Sequence, residues 1–476
     1  MRHSLLTAFC SLVLLVSATS ASGFRQEIET ARKAGMQFLL DSQLADGSWE
    51  YAGHEIGITS LCSIALIENG VAIDDPAIEK AHRYVHNNYL DCKQTYDIAL
   101  AILFLSRVGD RDNKDPIRDL AARLVAGQND DGGWGYTCPL VRGAYLSGGG
   151  DRPDAPKGPG DNSCTQFATL GLWVSSRWGV NIDDPMAHVA YRFVRDQNKD
   201  GGWPYKYDVA MPQGSRNTMT FAGLFCLTVA RANRIRALQA AEAEGRTPPR
   251  LPAIKPRTPQ EPASTNPDPN VDPNVDPAAR PVTPPKPVEE EPFTDPGEDV
   301  MKLTDDPVFS NGLELASRYG AQIGNGSSRY FLWSVERMGV ILGMDKFNNT
   351  DWFDLGSQVL LRTQGDPAGE IEGTPGAWTP GGTGSALSDT SFAILFLRKA
   401  NLGSDITRLL EGEPDQPFQI TSQPDKPRFF RFDDALKASK PGDTIRIDSS
   451  RAIGFTHVDI SHDLTIEAGL GYNPTI

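Results

Sequence analysis

A turn that occurs several times along the chain constrains its fold more than any other feature. Glutamine at a helix end is followed by glycine and then by tryptophan in "DSQLADGSWEY" (41–51), "GQNDDGGWGY" (127–136) and "DQNKDGGWPY" (196–205). A string that recurs in this way marks a repeat architecture, in which one unit cannot bury its apolar face without its neighbours. The recurring residues are therefore expected to hold successive units together.

The segments between these turns have the apolar spacing of helices, and they are of two kinds. One kind, such as "PAIEKAHRYVHNNY", has an apolar stripe on one face, whereas the other, such as "TYDIALAILFLSRVG", is apolar nearly all round. A helix of the first kind lies at a surface and one of the second kind is buried by its neighbours. The sequence predicts four such outer and inner pairs over 24–240 and two more over 308–403.

Local signals support this division into helix pairs. The strings "IDDPAIEKA" (73–81) and "IDDPMAHVA" (182–190) each predict a helix with Asp at its cap and Pro at its first position. Gln364 and Trp378 are interpreted as a further copy of the glutamine and tryptophan turn, opened by an insertion.

Two segments differ in composition from the helical parts: one lies between them and the other is at the N-terminus. Residues 247–307 are dense in proline and poor in apolar residues, which predicts an extended, disordered linker. Arg2 and His3 precede the apolar "LLTAFCSLVLLVSA" and the small residues "TSASG", so residues 1–22 are predicted to be a signal peptide of a secreted or periplasmic protein. No later segment is apolar and long enough to predict a membrane span.

Charge and cysteine content exclude other classes of protein. The net charge of −15 argues against a nucleic-acid partner, because such a protein needs a basic face. After the predicted signal peptide the cysteines are Cys62, Cys92, Cys138, Cys164 and Cys226. An odd number of widely spread cysteines does not indicate a disulfide framework, although the sequence does not exclude a single disulfide. Those in apolar helical segments are expected to pack as small apolar side chains.

The C-terminal region has a different pattern. After a second break over 411–430, a short amphipathic helix is followed by the alternating strands "GDTIRI" and "HDLTIEA". Residues 428–476 resemble the opening of a right-handed parallel β-helix of the pectate-lyase type, in which a helical cap precedes the first strand. The chain ends near the first rung, so the segment is interpreted either as part of a β-helix or as a small β appendage.

The repeated turns between alternating outer and inner helices resemble the repeats of the terpenoid cyclase and protein prenyltransferase superfamily, and squalene and hopene cyclases most of all. The resemblance covers roughly 28–403 apart from the linker. It implies an all-α fold, an α/α toroid of about six helix pairs in which the N-termini of the inner helices face a central cavity. It does not by itself imply an activity, because one fold supports many functions.

The catalytic motifs of this superfamily are absent or altered here. Class II cyclases use the central acid of an Asp-x-Asp-Asp motif, and the nearest strings, "AIDD" (72–75) and "NIDD" (181–184), lack the first Asp and precede predicted helix starts. Prenyltransferases bind zinc through an Asp-x-Cys pair and a distant His, whereas Asp161 and Cys164 have the wrong spacing and Asp389 stands near the place of the His. No metal site and no cofactor are therefore predicted.

In a toroid, polar residues at the starts of the inner helices would line one mouth of the cavity. The candidate catalytic residues are Asp97, Asp161, Asp389 and Glu336. The candidate ligand-binding residues are His54, Tyr96, Gln166, Asn217, Arg329, Tyr330 and Trp333. Capping is the alternative role of Asp, Asn and Ser at such starts, and it accounts for Asp161, Ser388 and Asp389 taken singly.

The sequence thus predicts an exported repeat protein whose central cavity binds an apolar, isoprenoid-like lipid or a glycan. Whether it catalyses a reaction stays open. The alternatives are a polysaccharide lyase or hydrolase, a transferase-like enzyme with altered residues, and a scaffold module without catalysis. The lining of the cavity separates them, since facing carboxylates among aromatic rings favour an enzyme and a filled centre favours a scaffold.

Overall fold

The computed structural model describes residues 23–149, 158–208, 211–243, 303–365, 375–378, 384–400, 416–429, 432–448 and 460–469, together with 245, 247 and 406–407. These residues form a mostly helical protein with a small sheet in its C-terminal part. The predicted signal peptide and nearly all of the predicted linker lie outside the described residues. Within the described ranges, no helix is both long enough and apolar enough to cross a membrane.

Twelve helices of the described residues precede the C-terminal sheet. They are α1 (23–41), α2 (Glu55–Glu68), α3 (Pro76–Asn88), α4 (Thr95–Val108), α5 (Lys114–Ala126), α6 (Asn162–Ser176), α7 (Asp183–Arg195), α8 (Asn217–Ala243), α9 (Pro307–Gly320), α10 (Arg329–Ile341), α11 (Trp352–Thr363) and α12 (Ala386–Arg398). A two-stranded sheet, β1 (Lys346–Phe347) paired antiparallel with β2 (Thr350–Asp351), joins α10 to α11.

Burial separates the helices into the two predicted kinds. Every residue of α6 is buried, whereas α3 buries only Ile78, Ala81 and Val85, which recur at helical spacing on one face. The reason is chemical: α6 has apolar or small residues on all sides, and α3 has charged residues on the face opposite its stripe. The prediction of alternating surface and buried helices is confirmed for this pair.

The even-numbered helices pack against one another in a continuous series. Helix α2 contacts α4, α4 contacts α6, α6 contacts α8, α8 contacts α10, α10 contacts α12, and α12 contacts α2. Odd-numbered helices pack against members of this series, for example α3 on α2, α5 on α4 and α9 on α8. The contact between α12 and α2 returns the series to its first member.

The repeated turn has the same hydrogen bonds in each of its four copies. The glutamine Nε2 donates to a glycine carbonyl of its own turn and to a carbonyl of another outer helix: Gln43 to Ala77 O, Gln128 to Pro185 O, Gln197 to Val308 O and Gln364 to Ala31 O. The tryptophan Nε1 donates to the preceding outer helix, as in the 2.7 Å bond from Trp134 to Leu124 O. The interpretation of Gln364 and Trp378 as a fourth copy is confirmed, and the turn joins neighbouring outer helices.

One of the two predicted helix starts is correct. Asp75 caps α3, accepting from the Ala77 amide at 2.8 Å, and Pro76 is the first helical residue. The prediction for α7 was wrong, because that helix begins at Asp183 and its cap position is Ile182. Asn181 Oδ1 accepts from the Asp183 amide at 2.9 Å. The helix therefore begins two residues before Pro185, the predicted first helical residue.

The five described cysteines are buried and form no disulfide with one another. Burial in apolar surroundings raises the pKa of the Cys62 thiol to about 12. These cysteines therefore pack as small apolar side chains, as predicted for the ones in helices.

The C-terminal sheet has four strands in the order β4-β3-β5-β6. They are β3 (Phe418–Ile420), β4 (Arg428–Phe429), β5 (Asp443–Ile447) and β6 (Leu464–Ala468), and helix α13 (Phe432–Ala438) precedes β5. The predicted short helix and two strands are present, and β5 pairs with β6 in parallel. The prediction of a break over 411–430 was wrong in part, because β3 and β4 form an antiparallel pair there whose Phe418 and Ile420 join the apolar core of the sheet.

Candidate functional site

A cavity of about 330 Å³ lies among the first turns of the buried helices. Helices α2, α4, α6, α10 and α12 and the turn before α2 all contribute to its lining. Because these helices all begin on one side of the series of contacts, residues far apart in sequence meet at this place. Its volume is at the lower end of the range for ligand pockets, about 300 to 1,000 Å³.

Apolar side chains form most of the cavity wall. Ile58, Leu61 and Leu100 provide its aliphatic part, and Phe167, Tyr330 and Phe392 provide its aromatic part. Trp333 supports this aromatic layer, since its ring centroid lies 4.8 Å from that of Phe392 and 5.6 Å from that of Phe167. Large interlocked rings are stiff, so this wall is preformed.

A histidine and an aspartate form the polar edge of the cavity. His54 Nδ1 lies 3.0 Å from Asp97 Oδ1, and the exposed fraction of the side chain is 37% for His54 and 7% for Asp97. The hydrogen bond to Asp97 raises the pKa of His54 above its usual value. Burial raises the pKa of Asp97, and the bond from His54 only partly opposes this effect.

The pKa values of His54 and Asp97 are both raised, but for different reasons. The pKa of His54 rises because the aspartate stabilises its charged form, and that of Asp97 rises because the loss of water outweighs this attraction. The contact fixes the imidazole orientation in either protonation state. Bonding at Nδ1 leaves His54 Nε2 for another partner.

A chain of hydroxyl and amide groups continues from the cavity wall into the protein. Tyr96 Oη donates to Ser163 Oγ at 2.8 Å, and Ser163 Oγ lies 2.9 Å from Tyr330 Oη. Gln166 Nε2 also donates to Tyr330 Oη, and its Oε1 accepts from Arg337. This network holds the hydroxyls of Tyr96 and Tyr330 in place at the cavity.

Arg337 lies behind the aromatic wall. Its guanidinium carbon is 3.8 Å from the Trp333 ring centroid and 4.5 Å from that of Phe225. Burial lowers the pKa of Arg337 to about 10, so the group is still charged at neutral pH. The cation is thus stabilised by two aromatic faces and by Gln166 instead of by a close carboxylate.

The structure brings four of the predicted site residues together at the cavity: His54, Tyr96, Asp97 and Tyr330. Gln166 and Trp333 lie directly behind them, in contact with Tyr330. Ser388, one of the residues predicted at a helix start, also lines the cavity.

The remaining candidates are not part of the cavity lining. Asp161 is the buried cap of α6 and accepts from the Cys164 amide at 2.7 Å, which is the capping role considered in the sequence. Asp389 is fully buried in the first turn of α12, where Ser385 is the cap, so capping does not explain Asp389. Arg329 is buried at the start of α10.

Glu336 and Asn217 were predicted at the mouth and lie elsewhere. Glu336 is fully buried in α10, and burial raises its pKa far above the usual value. Neither of its carboxylate oxygens has a hydrogen-bond partner among the described residues. Asn217 is exposed, and its Oδ1 accepts from the amide and hydroxyl of the following Thr218. Six residues, about 1.7 helical turns, separate Glu336 from Tyr330, so the two side chains leave the helix in directions about 120° apart.

Several lining residues were not predicted as site residues. Tyr51 lies in the turn before α2, and Gly57 allows Asp97 to approach α2, since a Cβ at residue 57 would lie 2.3 Å from Asp97 Oδ1. The apolar segments around Phe167 and Phe392 predict that both residues belong to the core of buried helices. In the sequence, the signal that these two aromatic residues line the cavity is their position in the first two turns of their helices.

The arrangement can bind and orient a small ligand and exchange a proton with it. An imidazole held by a carboxylate is a general base when neutral and a general acid when charged. No group of three or more His, Cys, Asp or Glu suitable for a metal ion occurs in the part of the chain that the structure describes. The available chemistry of the described site therefore comes from His54, Asp97 and the tyrosine hydroxyls.

Comparison with known proteins does not assign the chain to a family. No protein-family model matches it. No curated protein matches it with significance either.

Proposed function

We propose that the helical part is an α/α toroid, and that its central cavity binds one sugar unit of a glycan beside the His54–Asp97 pair. Two observations support the toroid: the series of buried-helix contacts returns from α12 to α2, and Gln364 donates to Ala31 O across the ends of the helical part. Both agree with the resemblance of the repeated turns to the terpenoid cyclase and prenyltransferase superfamily.

The composition of the cavity carries the proposal that its ligand is a sugar. An aromatic wall, formed in part by Phe167 and Phe392, faces the same small volume as the polar groups of His54, Asp97 and Ser163. A sugar ring has apolar C–H faces and a polar rim, so it satisfies both kinds of surface at once. The volume of about 330 Å³ suits a single ring better than a long chain.

In this proposal His54 transfers a proton to or from the bound sugar. Asp97 orients the imidazole and stabilises its charged form, and the Tyr96 and Tyr330 hydroxyls bind sugar oxygens. The reaction class that fits is a proton-transfer reaction at a sugar, either hydrolysis or elimination. The export predicted from the N-terminus agrees with a glycan substrate outside the cytoplasm.

A second candidate ligand is a short isoprenoid. The aliphatic part of the wall, Ile58, Leu61 and Leu100, favours it, because these side chains offer no partner to a hydroxyl. Such a ligand would place its apolar end against the wall and a polar end beside His54.

Titration of the protein with oligosaccharides and with short isoprenols, followed by native mass spectrometry and calorimetry, tests the proposal. Leu100→Trp places a large side chain in the cavity, and Leu313→Trp adds the same side chain at a half-buried position of the outer helix α9. We expect binding of an oligosaccharide by the parent protein, a loss of at least tenfold in affinity for Leu100→Trp, and no loss for Leu313→Trp.

Each other outcome overturns a defined part of the proposal. Binding of isoprenols alone would replace the sugar by the second candidate. Binding of neither class of ligand would reject a ligand-binding cavity and favour the scaffold module. Equal binding by both tryptophan variants would place the ligand outside the cavity.

A further inference from the structure

Two tyrosines and two cations form a surface beside the cavity, which we call the tyrosine platform: Tyr136, Tyr205, Lys206 and Arg216. The hydroxyls of Tyr136 and Tyr205 are hydrogen-bonded to each other. Lys206 Nζ lies 5.9 Å from the Tyr136 ring centroid and 5.8 Å from that of Tyr205, and Arg216 Cζ lies 5.6 Å from the Tyr205 centroid. The two cations thus occupy different positions along the tyrosine pair.

The backbone holds the platform firmly in place. The Tyr136 carbonyl accepts from the Thr95 amide at 2.8 Å, and the Tyr205 carbonyl accepts from the Asn162 amide at 2.9 Å. The Arg216 amide donates to the Trp203 carbonyl at 3.0 Å. Because Thr95 and Asn162 begin α4 and α6, the platform is fixed to the same helix ends that form the cavity.

The platform is continuous with the cavity through one aromatic contact. The ring centroids of Tyr96 and Tyr136 are 6.4 Å apart, and Tyr96 lines the cavity. Tyr136 is 45% exposed, so a ligand that reaches out of the cavity past Tyr96 meets an open aromatic surface.

The charges on this surface differ from those of the chain as a whole. The chain has a net charge of −15, yet neither Lys206 nor Arg216 forms an ion pair within 4.0 Å among the described residues. Lys206 acts electrostatically on Asp161, which is buried and already caps α6. Both cations are therefore able to bind an anionic group of a ligand.

We infer that the tyrosine platform binds acidic sugar units of a glycan whose end unit occupies the cavity. This inference rests on the proposed function. The tyrosine rings would pack against the C–H faces of the sugars, and Lys206 and Arg216 would each bind a carboxylate or sulfate of successive units. Charge complementarity selects an acidic glycan over a neutral one, because neither cation forms an ion pair within 4.0 Å in the described residues.

Trigalacturonic acid and its methyl ester are suitable probes, since they share one sugar skeleton and differ in charge. Calorimetry with the full chain would compare the parent protein, the double variant Lys206→Ala/Arg216→Ala, and the control Lys33→Ala/Arg83→Ala. The control removes the same charge from the outer helices α1 and α3, where Lys33 and Arg83 pair with Glu29 and Glu79.

We expect the parent and the control to bind the acid at least tenfold more tightly than the ester at low salt. In the platform variant this preference should vanish, with ester binding unchanged. Salt should weaken acid binding in the parent and in the control, but not in the platform variant. Equal binding of acid and ester by the parent, or an unchanged preference in the platform variant, would overturn the inference and leave the sugar proposal standing.

Other outcomes point to a different ligand. If neither trisaccharide binds, other neutral oligosaccharides distinguish the two failures: their binding overturns the acidic platform only, and its absence overturns the proposed function as well. Binding of phosphatidylglycerol vesicles in place of the trisaccharides, lost in the platform variant, would show a lipid surface as the partner and overturn the acidic glycan.

Discussion

His54 Nδ1 and Asp97 Oδ1 are 3.0 Å apart across 43 residues of sequence. One residue lies just before α2 and the other in the first turn of α4. The contact therefore depends on the packing of α2 against α4, and it forms the polar edge of the cavity. It also makes the stability of the protein depend on pH.

The His54–Asp97 bond should stabilise the fold more at low pH than at high pH. Because the folded pKa of His54 is raised, its stabilisation is complete below the ordinary value of 6.5 and is lost as pH rises through the folded pKa. Thermal unfolding of the parent and of His54→Ala from pH 5 to 9 checks this. We expect the difference in Tm to shrink with rising pH. A constant difference would contradict the pairing.

Gly57→Ala should displace the Asp97 carboxyl group. A Cβ at this position would lie 2.3 Å from Asp97 Oδ1, so the carboxyl must move and lose His54. We expect a loss of about 1 to 3 kcal/mol in the free energy of unfolding and loss of the pH dependence described above. Gly326→Ala, where a Cβ would meet nothing within 4 Å, is the control for chemical denaturation. Unchanged pH dependence in Gly57→Ala would show that Asp97 is not what shifts His54.

Gln364→Ala should remove a link between α11 and α1. The side chain donates to Ala31 O at 2.8 Å and to Gly376 O at 2.9 Å, and both bonds would be lost. We expect the free energy of unfolding to fall by about 1 to 3 kcal/mol. Gln358→Ala, on the exposed face of α11, removes only a bond to Asp354 and should change it by less than about 0.5 kcal/mol. Equal effects would indicate that the Gln364 bridge adds no stability.

Glu336→Gln should make the protein relatively more stable as pH rises. Burial raises the pKa of Glu336 well above the ordinary value of 4.5, so the folded protein keeps a proton that the unfolded chain releases. Above that value the parent should lose stability relative to the variant, and below it the difference should not vary with pH. Urea unfolding between pH 4 and 9 measures this. Glu314→Gln, exposed on α9, is the control for the loss of one carboxylate from the surface. A difference between the parent and Glu336→Gln that does not change with pH would show that burial does not raise the pKa of Glu336.

The local features of the fold were predictable because their causes are local in sequence. The spacing of Ile78, Ala81 and Val85 sets the buried face of α3, and Asp75 and Pro76 set its start. The start of α7 was misplaced because Asn181 competes with Asp184 for the capping role, and the sequence does not rank the two. The β3–β4 pair was missed because strands of three and two residues carry almost no periodic signal.

The candidate site was predicted only in part, since helix rotation decides which side chains face the cavity. Tyr330 and Glu336 belong to one buried helix, yet Tyr330 lines the cavity and Glu336 does not. In a helix that is buried on all sides, no polar face marks the direction of the cavity. The sequence therefore named candidates along the helix starts and could not choose among them.

By itself the sequence determined the alternation of surface and buried helices, the start of α3 and the turn that joins the outer helices, because apolar spacing, capping and glycine turns act within a few residues. Only the tertiary structure decided that His54 meets Asp97, that Gln364 reaches α1, and that five buried helices surround one cavity. These contacts depend on how the helices pack and rotate against one another, which is a property of the whole folded chain.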